Sequence, residues 1–229
     1  MIMKINKMHV VCIALLFVVY THQALANPSK MPVASVAPAT VTPIQAIQDL
    51  DKIADQYRVG KNLTAEDKAF NRQLKESILR GTFDLKELAK LALAQYWNQI
   101  GPKEQKHFVD LLTNLLEERS VFSKEKAVEK GHSKGYTISY TSQIYLNKEK
   151  TDVMVKSVIR LNKKRMKVGL DYKLKLENGI WKIYDVIMDD ASLVDNYRYS
   201  FGNIIRKNGY PDLVRRMENK LKEFKTKNS

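Results

Sequence analysis

The period of the apolar positions changes near Gly135 and changes back near Ser192. From Ile44 to about Ala127 apolar residues recur every three or four positions, the spacing of amphipathic helices. Ile47, Leu50, Ala54 and Tyr57 make a first stripe. Phe70, Leu74, Ser77 and Ile78 make a second, behind Thr64, whose hydroxyl suits an N-cap. Leu85, Leu88, Ala89, Ala92, Leu93, Tyr96 and Trp97 make a third. Gly101-Pro102 stops that helix and opens another, because proline fits a first helical turn where its missing N–H is no loss. Phe108, Leu111, Leu112, Leu115 and Phe122 then stripe a long helix.

Beyond Gly135 the period is two, the signature of half-buried strands. Tyr136, Ile138, Tyr140, Ser142, Ile144 and Leu146 alternate with mostly polar residues, and so do Val153, Val155, Ser157, Ile159 and Leu161. Met166, Val168, Leu170, Tyr172, Leu174 and Leu176 alternate with a row of lysines. Asn178-Gly179 predicts a hairpin, since both residues accept positive φ, and leads into a fourth strand from Trp181 to Met188. Two helices close the chain. Val194, Tyr197, Phe201 and Ile204 stripe the first, between a Ser192 N-cap and a Gly209 stop. Pro211 opens the second, striped by Val214, Met217, Leu221 and Phe224. Helices, four strands in series, then helices predict an α+β fold: a four-stranded antiparallel sheet, apolar on one face and lysine-rich on the other, packed by the N-terminal and C-terminal helices.

The first 26 residues break both patterns and read as a cleaved signal peptide. Lys4 and Lys7 precede an apolar run from Val10 to Tyr20, and Ala24-Leu25-Ala26 has the small-x-small form of a cleavage site. That run of 11 residues is too short for the roughly 20 that span a bilayer. Residues 27–43 hold four of the six prolines and read as a flexible linker, which leaves 44–229 as one domain with a short basic tail. Cys12, the only cysteine, leaves with the signal peptide, so the exported chain has no disulfide and depends on its apolar core. Removing Lys4 and Lys7 lowers the net charge from +14 to +12. That charge suits acidic partners or anionic headgroups, and equally a solvated lysine surface.

Catalytic chemistry is thinly represented. After cleavage His107 and His132 are the remaining histidines, and neither has zinc-ligand spacing. There is no GxSxG elbow, P-loop or GxGxxG. Asp189 and Asp190 read as favourable charge before a helix N-terminus. Asp185 shares the alternation of Trp181, Ile183 and Ile187, which predicts a carboxylate on the apolar face, held there by an Arg or Tyr. No enzyme, cofactor, metal or nucleic-acid partner is expected.

One stretch is more specific. Gly179-Ile180-Trp181-Lys182-Ile183-Tyr184-Asp185-Val186-Ile187, followed by Ala191-Ser192-Leu193-Val194-Asp195-Asn196-Tyr197-Arg198-Tyr199-Ser200-Phe201, resembles the signature of the MlaC family of periplasmic phospholipid-binding proteins, also called toluene-tolerance proteins. Phe83-Asp84, Leu88-Ala89, Tyr96-Trp97, Pro102, Gln105, Phe108, Leu115-Leu116, Ile204-Ile205-Arg206, Gly209 and Leu213 agree with it, so the likeness spans roughly Ile44 to Phe224. Two departures stand out: Asp190-Ala191 where Gly-Val is common, and Ala94 where glycine is common.

The resemblance implies a curved sheet and helices enclosing an apolar cavity that takes lipid acyl chains. It also implies a carrier that moves phospholipid between an outer-membrane lipoprotein–porin complex and an inner-membrane ABC transporter complex with its substrate-binding membrane subunit. A related branch carries the association with hopanoid lipids. Under this resemblance the cavity wall is expected among Tyr96, Trp97, Leu112, Tyr140, Ile144, Val155, Ile159, Val168, Leu170, Tyr172, Ile183, Val194, Tyr197 and Phe201. The alternatives are a carrier of another lipid and a basic adaptor that binds an anionic polymer or protein.

Overall fold

The computed structural model describes residues 41–58, 60, 62–129, 136–161 and 166–228. The expected signal peptide, most of the 27–43 linker and His132 lie outside the described residues. Helix α1 (Pro43–Ala54) starts at Thr42, whose hydroxyl accepts the Gln45 N–H at 3.2 Å. Helix α2 (Ala65–Thr82) has a reciprocal capping box between Thr64 and Asp67. Helix α3 (Leu85–Leu93) runs into a 3-10 turn at Ala94–Gln99, and α4 (Pro102–Glu129) begins at the expected proline. Strands β1 (Tyr136–Tyr145), β2 (Asp152–Leu161), β3 (Met166–Glu177) and β4 (Ile180–Met188) follow. The chain ends in α5 (Leu193–Asn208) and α6 (Tyr210–Asn228), so the basic tail continues a helix.

The sheet is antiparallel throughout, with its five strands side by side in chain order. The fifth strand, β5 (Ala191–Ser192), has two residues paired with Ile187 and Met188, too few to leave a period in the sequence. It exists because Asp189 and Asp190, at φ 44° and 64°, fold the chain back in a tight left-handed turn. These two aspartates form the turn that leads into the helix. The Asp189 carboxylate accepts the Gly169 N–H at 2.9 Å and ties the turn to β3. The helix end is capped by Ser192, which accepts the Asp195 N–H at 3.0 Å.

Two bulges reset the alternation on which the strand faces depend. In β1 the register shifts between Tyr140 and Ser142, so Thr141 is the extra residue. Ile138 and Tyr140 keep the inner face, but beyond the bulge Gln143 and Tyr145, not Ser142 and Ile144, stand opposite inward Val155 and Val153. In β4 the extra residue is Tyr184, between the pairs Lys173↔Asp185 and Leu174↔Ile183. Trp181 and Ile183 face the helices, and so do Val186 and Met188, while Asp185 turns to the lysine-bearing face.

The helices cover the apolar face. Their closest packing on the sheet is at its two margins: α1 across β1 and β2, and α2, α3 and α5 against β4. The link at β4 is also a backbone one, since the Asp84 N–H donates to Ile183 O at 2.8 Å. Helices α4 and α6 form an outer tier, with α4 on α2, α3 and α6, and α6 on α5. Central strand β3 nonetheless has Leu170, Tyr172 and Leu174 fully buried.

Candidate functional site

The site is built from the inner face of the sheet upward. Cross-strand pairs set its floor: Ile159 against Val168, Val155 against Tyr172, Tyr172 against Val186, and Leu174 against Ile183. All but Val168 of these are buried, five of them at 0–2% exposure. Val168 is half-buried and packs against the same core. From the helices come Ile47 and Leu50 of α1, Leu88 and Leu93 of α3, and Leu112 of α4, all buried. Trp97 is added by the 3-10 turn, which Gln105 fixes by donating its side-chain N–H to Trp97 O at 3.0 Å.

Of the expected wall residues, Trp97, Leu112, Val155, Ile159, Leu170, Tyr172, Ile183, Val194, Tyr197 and Phe201 belong to one contiguous apolar cluster, with Tyr140 and Val168 packed on it. Two stand apart. Tyr96 is half-buried outside the cluster, on the 3-10 turn. Ile144 is 44% exposed on the outer face, because the Thr141 bulge reverses its direction. Phe201 is turned toward another helix: its ring meets Phe108 of α4 edge-on at 5.6 Å, and Tyr197 stacks on it at 5.1 Å. They brace the helical tier, whereas the strand residues line the floor.

One end of this interior carries polar chemistry. The Tyr140 hydroxyl on β1 donates to the Asp51 carboxylate on α1. Burial pushes the Asp51 carboxyl up to about 7, and the nearby Asp55 carboxylate adds to the shift. Gln143, turned inward by the bulge, has a buried side-chain oxygen without a hydrogen-bond partner among the described residues. The sequence placed Asp51 on a helix but gave no sign that it faces β1, and it gave no sign of the bulge that brings in Gln143.

Asp185 lies at the opposite end of the sheet. It is 1% exposed and accepts the Ser192 hydroxyl at 2.8 Å and the Val194 N–H at 3.1 Å, with Lys173 Nζ at 3.4 Å. Its partners are a serine, a backbone amide and a lysine, not the expected Arg or Tyr. The neighbouring Tyr184 hydroxyl instead donates to Asp152 at 2.9 Å, and burial holds that phenol well above its usual range. The outer-face lysines are partly engaged as well, Lys175 with Glu87 at 3.2 Å. His107 sits on the surface 3.4 Å from Glu218. Among the described residues no group of three His, Cys, Asp or Glu side chains could hold a metal ion, and no helix is long and apolar enough to cross a membrane.

An antiparallel sheet with helices on one face, joined around a continuous apolar interior, defines an α+β protein whose distinctive surface points inward. Residues 48–219 match the family profile described as MlaC protein, and the chain belongs to that family. The fold is also that of a phospholipid-binding protein from Ralstonia solanacearum solved in complex with a phospholipid. That protein is 22% identical, with a TM-score of 0.54 over 66% of this chain and 80% of its own. No curated protein matches the chain by sequence.

Proposed function

We propose that this chain is a periplasmic phospholipid carrier that holds acyl chains in its apolar interior and moves lipid between outer-membrane and inner-membrane complexes. The first 26 residues then act as the export signal, 27–43 as a linker and 44–229 as the lipid-binding domain. The observation that carries the reading is membership in the MlaC family over residues 48–219. Helices approach the sheet most closely at its margins, while between them Leu170, Tyr172 and Leu174 of β3 are buried and Val168 is half-buried. A lipid guest must be covered on all sides. A phospholipid with two chains of about sixteen carbons carries roughly 28 methylenes, and exposing them to water costs on the order of 20 kcal/mol at ~0.8 kcal/mol each.

The phospholipid in the Ralstonia relative supports the same reading. So does the polar end at Asp51, Tyr140 and Gln143, where a headgroup finds hydrogen-bonding partners beside the oily floor. The chemistry is that of a binding protein and not of an enzyme. Direction of transfer comes from the partners, a lipoprotein–porin complex at one membrane and an ABC transporter complex at the other. The carrier alone equilibrates lipid between sites of different affinity. Native mass spectrometry of the protein as purified, before and after delipidation, tests the cargo. The expected spectrum carries an increment equal to one two-chain phospholipid that delipidation removes. A hopanoid-sized increment would change the cargo class, and a bare chain with unchanged mass would refute the carrier.

A further inference from the structure

The β1–β2 hairpin leaves large apolar side chains uncovered. Ile144, Tyr145 and Leu146 are 44%, 38% and 44% exposed. Strand alternation aims Tyr145 to one side of the sheet and Ile144 to the other. The tip is therefore apolar on both sides. A groove on a protein partner would cover one side, whereas immersion in a lipid interface covers both.

Its surroundings fit that medium. Lys148 and Lys150 are exposed in the loop against one acid, Glu149, and the Lys150 ammonium lies 5.7 Å from the Tyr145 ring centroid. Aromatic rings and lysines with apolar stems are the side chains that settle at headgroup level. Several of the loop's amides are paired internally. Asn147 Oδ1 accepts the Thr151 and Asp152 amides at 3.0 Å each, Asn147 Nδ2 donates to Thr151 Oγ1 at 2.8 Å, and Leu146 N–H donates to Asp152 O at 2.8 Å. These amides need no water as partner, so seating the tip among headgroups strips none of them of a hydrogen bond. The other large apolar side chain exposed among the described residues, Tyr199, stands alone on α5.

We propose that the β1–β2 hairpin is a membrane-docking tip that seats Ile144, Tyr145 and Leu146 in the interface of an anionic bilayer, with Lys148 and Lys150 against the headgroups. The tip lies outside the apolar interior, so the inference stands whether or not that interior holds lipid.

Co-sedimentation with sucrose-loaded vesicles tests it, using phosphatidylcholine alone and phosphatidylcholine mixed with phosphatidylglycerol. The exported chain is expected to pellet with the mixed vesicles and much less with the neutral ones. The double variant Ile144→Asp, Leu146→Asp should reduce the bound fraction on the order of tenfold, and Lys148→Glu, Lys150→Glu should abolish the preference for anionic vesicles. Both should keep the parental melting midpoint and the parental mass of co-purifying lipid, which separates docking from cargo binding. If the aspartate variant fails to fold, the exposed lysine pair decides. Wild-type protein that pellets with neither vesicle would point to a protein partner and overturn the proposal, as would variants that pellet like the wild type.

Discussion

Ala94 ends α3 with φ 49° and ψ −122°, a region that an L side chain enters only at a steric cost. Glycine adopts it freely. Ala94→Gly is therefore expected to raise stability by about 1 kcal/mol, read as a higher urea midpoint at unchanged slope. Asp185 presents the reverse case, a side chain whose loss leaves others stranded. Its carboxylate holds Ser192, the Val194 amide and Lys173 at 1% exposure, and so ties β4 to the start of α5. Asp185→Ala should cost about 3 kcal/mol or more, because it leaves a buried amide and a half-buried ammonium without their partner. The same urea titration checks this, with Asp185→Asn expected in between. Residue types at caps and turns were readable directly: Thr64, Ser192, Asn178-Gly179 and Gly209 all do what their chemistry predicts.

At the scale of the element, helices were more legible than strand faces. A helical stripe survives small errors of register, and Ile47, Leu88 and Leu112, one from each of three stripes, are buried. A strand has period two, so one inserted residue reverses everything beyond it. Thr141 and Tyr184 are such insertions, and neither residue type announces a bulge. That is why unbroken alternation puts Ile144 and Asp185 on the wrong face. Helix α1 carries a prediction of its own. Burial pushes the Asp51 carboxyl from an ordinary 3.8 up to about 7, beside Asp55 just past the end of α1 and Tyr140 on β1. A raised carboxyl favours the protonated state, so its stabilising share is complete below about pH 4 and is lost as pH rises through about 7. The change is on the order of a few kcal/mol, since each tenfold change in proton affinity is worth about 1.4 kcal/mol. Hydrogen exchange of the α1 amides should accelerate between pH 5 and 8 beyond the intrinsic base catalysis, an excess that Asp51→Asn should abolish. Equal pH profiles for the two proteins would sink the assignment.

For the whole molecule, periodicity gave the order of layers but not the distance between them. Val168, Leu170 and Tyr172 look the same in sequence whether helices fill the space above β3 or arch over a guest. Val168 offers a way to separate the two. It faces the interior opposite Ile159 yet is only half-buried, so a larger side chain there can enter the interior without displacing the floor. In a filled core the added volume of Val168→Trp would force rotamers and backbone apart, at about 1–3 kcal/mol. In a lipid carrier the indole instead takes space that acyl chains would occupy. The expected outcome pairs two measurements on one sample: a delipidated melting midpoint close to that of the parent, and a clear fall in co-purifying phospholipid by mass spectrometry. A large loss of stability with unchanged lipid content would place Val168 in ordinary core and move the guest elsewhere.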